Sequence, residues 1–300
     1  MIVIIGAGLT GLFIASRKYQ NSIIIEEQPS VGGLYSIEEI SEVQIPSLPP
    51  LLFNECELPE DFETEELELK YISKKYEFIN KKICEKCKDI PNYLKIKNKV
   101  IFLKNMNLLI RKYVKNVKIL NGYPVKLGKN FIITNHSQLI KFDKLINTGS
   151  LRKILNLLNI PLNLNSVPVY VFILLTLPQP QNEEWDVYID GDLSVSFSHI
   201  FKFKLYEKKL ELYYIYSFLK NIKQSIDLKK IIIDIRKKGI IRNESEILAF
   251  RTKLIRDGLL ILDSEQKMPK IEVNGIYNCG RLGKWTNIDL CGVLQEVHEC

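Results

Sequence analysis

The sequence predicts an α/β fold built on a parallel sheet, and three observations at its start carry that prediction. Ile2 to Ile5 is a short β-branched run suited to a strand buried on both faces. Gly6-Ala7-Gly8-Leu9-Thr10-Gly11 follows at once and opens into Leu12 to Lys18, which reads as a helix. Ser22 to Ile25 is then a second apolar strand, closed by Glu26.

The glycine spacing gives the turn its chemistry. Gly6 permits a tight turn, Gly8 lets bare backbone approach a pyrophosphate, Gly11 lets helix pack on strand, and the helix start, from Leu9 and Thr10, favours negative charge. Glu26, about twenty residues after the motif begins, stands where a carboxylate accepts hydrogen bonds from a ribose. Strand, turn, helix, strand and acid in this order make a dinucleotide-binding, Rossmann-like unit. Gly32-Gly33 then supplies a second place where backbone can approach phosphates.

The arrangement of Glu26 followed after five residues by Gly32-Gly33 resembles the flavin-binding motif of flavin amine oxidases, protoporphyrinogen oxidases and UDP-galactopyranose mutases. That resemblance implies FAD as cofactor, on a discontinuous domain to which the chain returns twice. The first return spans Val117 to Leu151: a strand at Val117 to Leu120, a meander of Pro124 to Leu127, Phe131 to Asn135 and Leu139 to Phe142, and a return strand Asp143 to Ser150. By resemblance, Val125 contacts the adenine end, and Thr148-Gly149 closes over the cofactor.

The second return, Ile276 to Asp289, is similar to the family's GRxGxW segment. Its strand ends at Gly280-Arg281, Trp285 follows, and a final helix points its N-terminus at the flavin. In this alignment Arg281 pairs with a phosphate, and backbone N–H groups around Asn287, Ile288 and Asp289 stabilise the reduced ring. The expected FAD domain comprises residues 1–40, 110–155 and 265–300; residues 41–109 and 156–264 form a smaller two-part cap.

In the cap, Val167 to Leu177, Trp185 to Ile189, Leu193 to Phe203 and Glu211 to Phe218 read as an antiparallel sheet, and the order is similar to the substrate sheet of protoporphyrinogen-oxidase-like proteins. The acidic run Glu55 to Glu68 and the basic run Lys70 to Lys104 read as solvated faces of a short helical segment. The stretch from Val43 to Leu51 carries three prolines, Pro46, Pro49 and Pro50, so a stiff extended loop stands where relatives have a glycine- or histidine-containing stretch. His199, where many relatives have an Arg, is a candidate proton carrier or a satisfied structural histidine.

Composition narrows the rest. Of 300 residues 46% are hydrophobic, enough for a substantial core, and 42 Lys/Arg against 35 Asp/Glu are spread rather than clustered, which reads as a solvated surface and not a nucleic-acid footprint. No apolar run reaches the roughly 18–20 residues of a membrane span. Glycines at fixed offsets distinguish the opening run from an export signal, and the expected location is cytoplasmic. Cys84-Glu85-Lys86-Cys87 admits a zinc site, a disulfide or free thiols; with no second ligand pair metal is not expected, and free thiols are what a cytoplasmic chain keeps.

The function that follows is an FAD-dependent oxidoreductase taking a hydride from a small organic substrate and passing electrons to oxygen or another acceptor. Two alternatives remain: a mutase-like flavin isomerase, which needs cationic side chains such as Arg251 and Arg256 over the flavin, and a non-catalytic FAD-binding protein.

Overall fold

A computed structural model describes residues 1–87, 89–179, 184–220, 227–261 and 275–300. The expected domain boundary near 265 lies outside them. The opening strand Ile2–Ile5 sits at the centre of a five-stranded sheet. Its order is Ile276–Asn278, Lys144–Asn147, Ile2–Ile5, Ile23–Glu26 and Lys118–Asn121, with every described pairing parallel.

Period-two alternation decides which residue faces which layer. Ile4, Ile24 and Ile146 bury against Leu12, Phe13, Leu109 and Leu294 on one face. Val3, Ile5, Ile25 and Leu145 bury against Ile132, Ile140, Phe142 and Ile154 on the other. The first face is covered by the helical run Leu9–Phe13, widened into a π turn over Ile14–Lys18, and by the helices Met106–Lys115 and Leu290–Glu299. Covering the second are the three-stranded meander Pro124–Leu127, Phe131–Thr134 and Leu139–Lys141 and the helix Leu151–Leu157. Both sides of the strands are therefore dry, as their near-continuous Ile and Val content requires.

A second, six-stranded sheet runs Ile247–Ile261, Asn165–Thr176, Leu210–Phe218, His199–Leu205, Val187–Asp190 and Tyr71–Lys74. All neighbours are antiparallel except the last pair. Phe172, Leu174, Tyr213 and Ile215 pack on Ile231 and Ile235 of the helix Leu228–Lys237. Val171, Ile173 and Tyr214 face the other way, onto Ile45, Leu51, Ile79 and Ile83. The strand expected over Leu193 to Phe203 begins only at His199.

Residues 55–104 depart from the helical expectation. Thr64–Glu68 and Lys99–Leu103 are antiparallel strands, Tyr71–Lys74 joins the large sheet, and Ile79–Ile83 is a five-residue helix. The reason is electrostatic as well as steric: opposite charges brought side by side across a ladder attract, and Lys99–Glu66 (3.2 Å) and Lys104–Glu65 (2.9 Å) do so here.

All six cysteines are paired, as Cys56–Cys291, Cys84–Cys87 and Cys279–Cys300, which corrects the free-thiol expectation. Buried disulfides persist in oxidising compartments and in the cytosol of hyperthermophiles. Among the described residues no helix is long and apolar enough to cross a membrane.

Alkylation of the denatured chain without reductant should add no label, and with reductant six labels, read by intact mass. Cys56→Ser opens the bridge that spans 235 residues and should lower stability by up to about 5 kcal/mol in urea melts. Label uptake without reductant would contradict the pairing.

Candidate functional site

The parallel sheet reverses its winding between Ile2–Ile5 and Lys144–Asn147, because the chain steps outward from the first strand to Ile23–Glu26 and Lys118–Asn121, then returns to its other side. Ligands of open α/β sheets sit at the carboxyl ends of the strands flanking such a reversal. Gly6 and Thr148 stand there. Thr148 Oγ1 donates to the carbonyls of Ile5 (2.8 Å) and Gly6 (3.0 Å), closing one strand end onto the other.

Each glycine of the turn answers a different demand. Gly6 has φ +96°, and a Cβ there would meet Thr148 Oγ1 and the Gly149 backbone. A Cβ on Gly11 would strike the Gly6 carbonyl oxygen. Gly8 is the opposite case: nothing lies within 4 Å of where its Cβ would point, so the bare backbone faces open space. The doublet closes on this turn. Gly32 N donates to Ala7 O at 2.8 Å, Gly32 bridges Gly8, and a Gly33 Cβ would lie 3.1 Å from Gly8 Cα.

Glu26 reaches the same turn. Its Oε2 accepts from Ala7 N at 2.5 Å and its Oε1 from Gln28 N at 2.7 Å, with 8% of the residue exposed. Burial raises its pKa and the two N–H bonds oppose the rise. On the last segment, Gly280 (φ +73°) packs so closely on Thr10 that a Cβ would overlap it, which brings the second return onto the first helix. Leu9 and Thr10 are buried in this contact layer. Val125 is exposed at a bulge of the meander and joins none of these contacts.

The remaining residues of the last segment do more than expected for the sheets and less for a phosphate. Asn287 clamps the backbone of Leu260, accepting from its N at 3.0 Å and donating to its O at 2.7 Å. Trp285 (φ +55°) is buried among Leu151, Leu155 and Leu260, its Nε1 without a partner among the described residues, beneath the guanidinium of Arg152. Asp289 caps the final helix, accepting from Gly292 N at 3.0 Å, and its other oxygen accepts from Asn54 Nδ2 at 2.8 Å. Arg281 is turned onto the carbonyls of Asp257 (2.6 Å) and Gly258 (3.5 Å) and lines a cavity to which Gly8 does not contribute. That placement departs from the expected phosphate pairing; two carbonyls already hold the guanidinium's fork.

Two adjoining cavities flank the start of the final helix and share Tyr93, Ile288 and Asp289. One, about 490 Å³, is polar and open, with Asn54, Glu55, Asp89, Lys95 and Gln295. The other, about 100 Å³, is mostly apolar and bears Tyr35, Tyr93, Tyr216 and Arg281. These tyrosines were not singled out from the sequence. The signal was period-two spacing: Val169 and Val171, and Tyr216 and Phe218, place alternate residues of two strands on the cavity side. Lys253 was missed as well. Its ammonium donates to Gly33 O (3.2 Å), Ser36 Oγ (2.6 Å) and Ser47 Oγ (2.7 Å), fastening the doublet to the large sheet, and burial lowers its pKa.

His199 lies inside the large sheet at 1% exposure, with Nδ1 3.0 Å from Ser198 Oγ and Nε2 3.0 Å from Leu94 O. It lines neither cavity. Burial pushes its pKa down to about 4, the Leu94 carbonyl opposing and Lys82 assisting. Of the two readings the placement fits the structural one.

No family model and no curated protein matches the chain by sequence. Solved structures do match by shape. The crystal structure of reduced UDP-galactopyranose mutase superposes with TM-score 0.76 at 13% identity over 99% of this chain and 92% of that one. A proposed protoporphyrinogen oxidase from Exiguobacterium sp. 255-15 gives TM-score 0.68 at 10% identity, covering 99% and 97%. A redesigned putrescine oxidase gives 0.60 at 10%, also covering 99% and 97%. The fold implied by the glycines and the acid is the fold found.

Two measurements test this geometry. Gly11→Ala should cost about 3 kcal/mol or more in urea melts because its methyl meets backbone, whereas Gly8→Ala should leave stability within about 0.5 kcal/mol. For His199, the unfolded imidazole gains a proton below about pH 6.5 that the folded one refuses until near pH 4. Stability should therefore fall by up to about 3 kcal/mol as pH drops through that window. His199→Gln should flatten the descent; Glu26, whose raised pKa acts in the opposite direction, is common to both proteins.

Proposed function

We propose that this chain binds FAD across the glycine turn and uses it as an oxidoreductase on a small organic substrate. The observation that carries the reading is the open face of Gly8 at the switch point, walled by Gly6, Gly32 and Gly33 and backed by a buried carboxylate. Anything larger than a glycine hydrogen would fill the space a pyrophosphate needs. The residues present therefore fit the cofactor. FAD, when bound, supplies a ring that takes a hydride from substrate and hands the electrons on.

In this reading the roles of the chain are binding, orientation and exclusion of water. Gly6, Gly8, Leu9, Thr10 and Gly11 receive the phosphates, Glu26 the ribose, Gly32 and Gly33 the backbone approach from the other side, and Thr148 and Gly149 the closure. Gly280, Trp285, Asn287 and Ile288 position the segment that begins the final helix, and Val125 stands toward the adenine end. Residues 1–40, 110–155 and 265–300 form the cofactor half, and residues 41–109 and 156–264 the cap.

The mutase-like reading draws on the superposition with UDP-galactopyranose mutase. It requires cations over the flavin, and the two expected, Arg251 and Arg256, are exposed on the edge strand Ile247–Ile261 and line neither cavity. Oxidation is the better supported of the two.

Purified protein supplied with FAD should show flavin absorbance that stays with it through gel filtration. Gly8→Ala should retain the fold and weaken FAD binding at least tenfold, and Glu26→Ala should also weaken it. A colourless protein after FAD addition sinks the proposal; unchanged affinity in Glu26→Ala removes that residue from the ribose role.

A further inference from the structure

The apolar cavity contains a buried cation with no direct ion pair. Among the described residues no carboxylate lies within ion-pair distance of Arg281, although its guanidinium is desolvated enough for burial to lower its pKa. Asp257, whose carbonyl Arg281 holds and whose charge supports it at longer range, is engaged by Arg152 at 3.3 Å and by Ser166 at 2.7 Å. Asp289, on the same wall, spends both oxygens on Gly292 and Asn54. A buried cation left in this state is costly unless an anion completes it.

Three tyrosines share the cavity lining with that cation. Tyr35, Tyr93 and Tyr216 have no protein hydrogen bond from their hydroxyls among the described residues. They lie close enough to perturb one another's ionisation, and Tyr35 and Tyr93 perturb that of Arg281. Burial raises all three phenol pKa values, so each stays a neutral donor through the ordinary pH range. One guanidinium with three donors is the complement of a carboxylate, whose two oxygens offer about four lone-pair sites.

The remaining wall sets the rest of the ligand. Leu48, Leu51, Val169, Val171, Phe201 and Ile255 are aliphatic or aromatic. A volume of about 100 Å³ is smaller than the apolar cavity of about 150 Å³ that holds benzene, so it suits a short branched chain rather than a six-membered ring. We propose that this cavity binds a small apolar molecule bearing a single carboxylate, anchored by Arg281, Tyr35, Tyr93 and Tyr216, and that this molecule belongs to the substrate class of the proposed flavin chemistry. The substrate clause rests on the reading above; the binding clause stands on the cavity.

Calorimetric titration of the purified protein, with and without added FAD, uses three small branched probes: isobutyrate, isopropylamine and isopropanol. The carboxylate should bind and the amine should not, with the alcohol at least about tenfold weaker than the carboxylate. Arg281→Met should weaken the carboxylate at least tenfold while FAD affinity stays within about twofold, and Tyr93→Phe and Tyr216→Phe, which keep the ring, should each weaken it severalfold. Equal binding of amine and carboxylate, no binding of the carboxylate, or carboxylate affinity unchanged in all three variants overturns the proposal. So does loss of FAD alone in Arg281→Met, which would return that residue to the phosphate. Flavin absorbance is read separately, so a protein that binds the carboxylate but no FAD retains the site and loses the oxidoreductase reading.

Discussion

The first helix can leave the strand Ile2–Ile5 only because Gly11 has no Cβ to meet the carbonyl of Gly6. That single close approach fixes the angle at which helix follows strand, and with it the position of Gly8 at the sheet's carboxyl edge. Thr148 reads the same geometry from the neighbouring strand, donating to both carbonyls that the turn exposes. Removing a side chain here is the opposite of a packing defect: the space is shared between backbone on one side and, at Gly8, an open face on the other. The wider π turn over Ile14–Lys18 lies beyond this contact, so the irregular part of the helix does not disturb it.

The last segment transmits that placement to the second sheet. Gly280 packs on Thr10 of the first helix, Asn287 pairs with Leu260 as a neighbouring strand would, and Arg281 holds the carbonyls two and three residues before that point. Cys291 and Cys300 fasten the final helix at both ends, to Cys56 and Cys279. Residues 280–300 therefore touch the glycine turn, the long edge strand and the loop at Asn54 together. Lys253 makes a second tie, from the large sheet to Gly33. The cavities lie between these ties, so their walls are contributed by elements far apart in the chain.

That distribution explains what was legible in the residues alone. The parallel half was readable because its signals are local: a β-branched run, glycines at fixed offsets and an acid at a fixed distance all fall within Ile2 to Gly33. The acidic and basic runs between Glu55 and Lys104 were misread because charge alone does not report period; Glu65 and Glu66 alternate sides on a strand paired with Lys99–Leu103. Arg281 was read for a phosphate, and the contacts it makes are instead to carbonyls of a strand that local patterning had not marked. Two of the three cysteine pairings were equally invisible, with partners 235 and 21 residues apart, whereas the third, Cys84–Cys87, was among the alternatives its spacing admits. His199 shows the limit most plainly: the residue type admits both roles, and only the Leu94 carbonyl and Ser198 hydroxyl around it separate them.

Charge then discriminates among ligands that the fold alone admits. A nucleotide-sugar diphosphate would bring two negative charges to walls carrying Glu55, Asp89 and Asp289, against which the cations are Arg281 and Lys95. Lys95 is already spent on Asp89 at 2.5 Å. The second phosphate would therefore be desolvated without a partner, a cost of several kcal/mol in a partly buried site. A molecule with one carboxylate matches the cation of the apolar cavity, Arg281, and leaves the acidic wall facing solvent through the larger, open cavity. The same fold can thus serve different ligands according to how many cations line its cavities, and among the described residues the two cavities here carry Arg281 and Lys95.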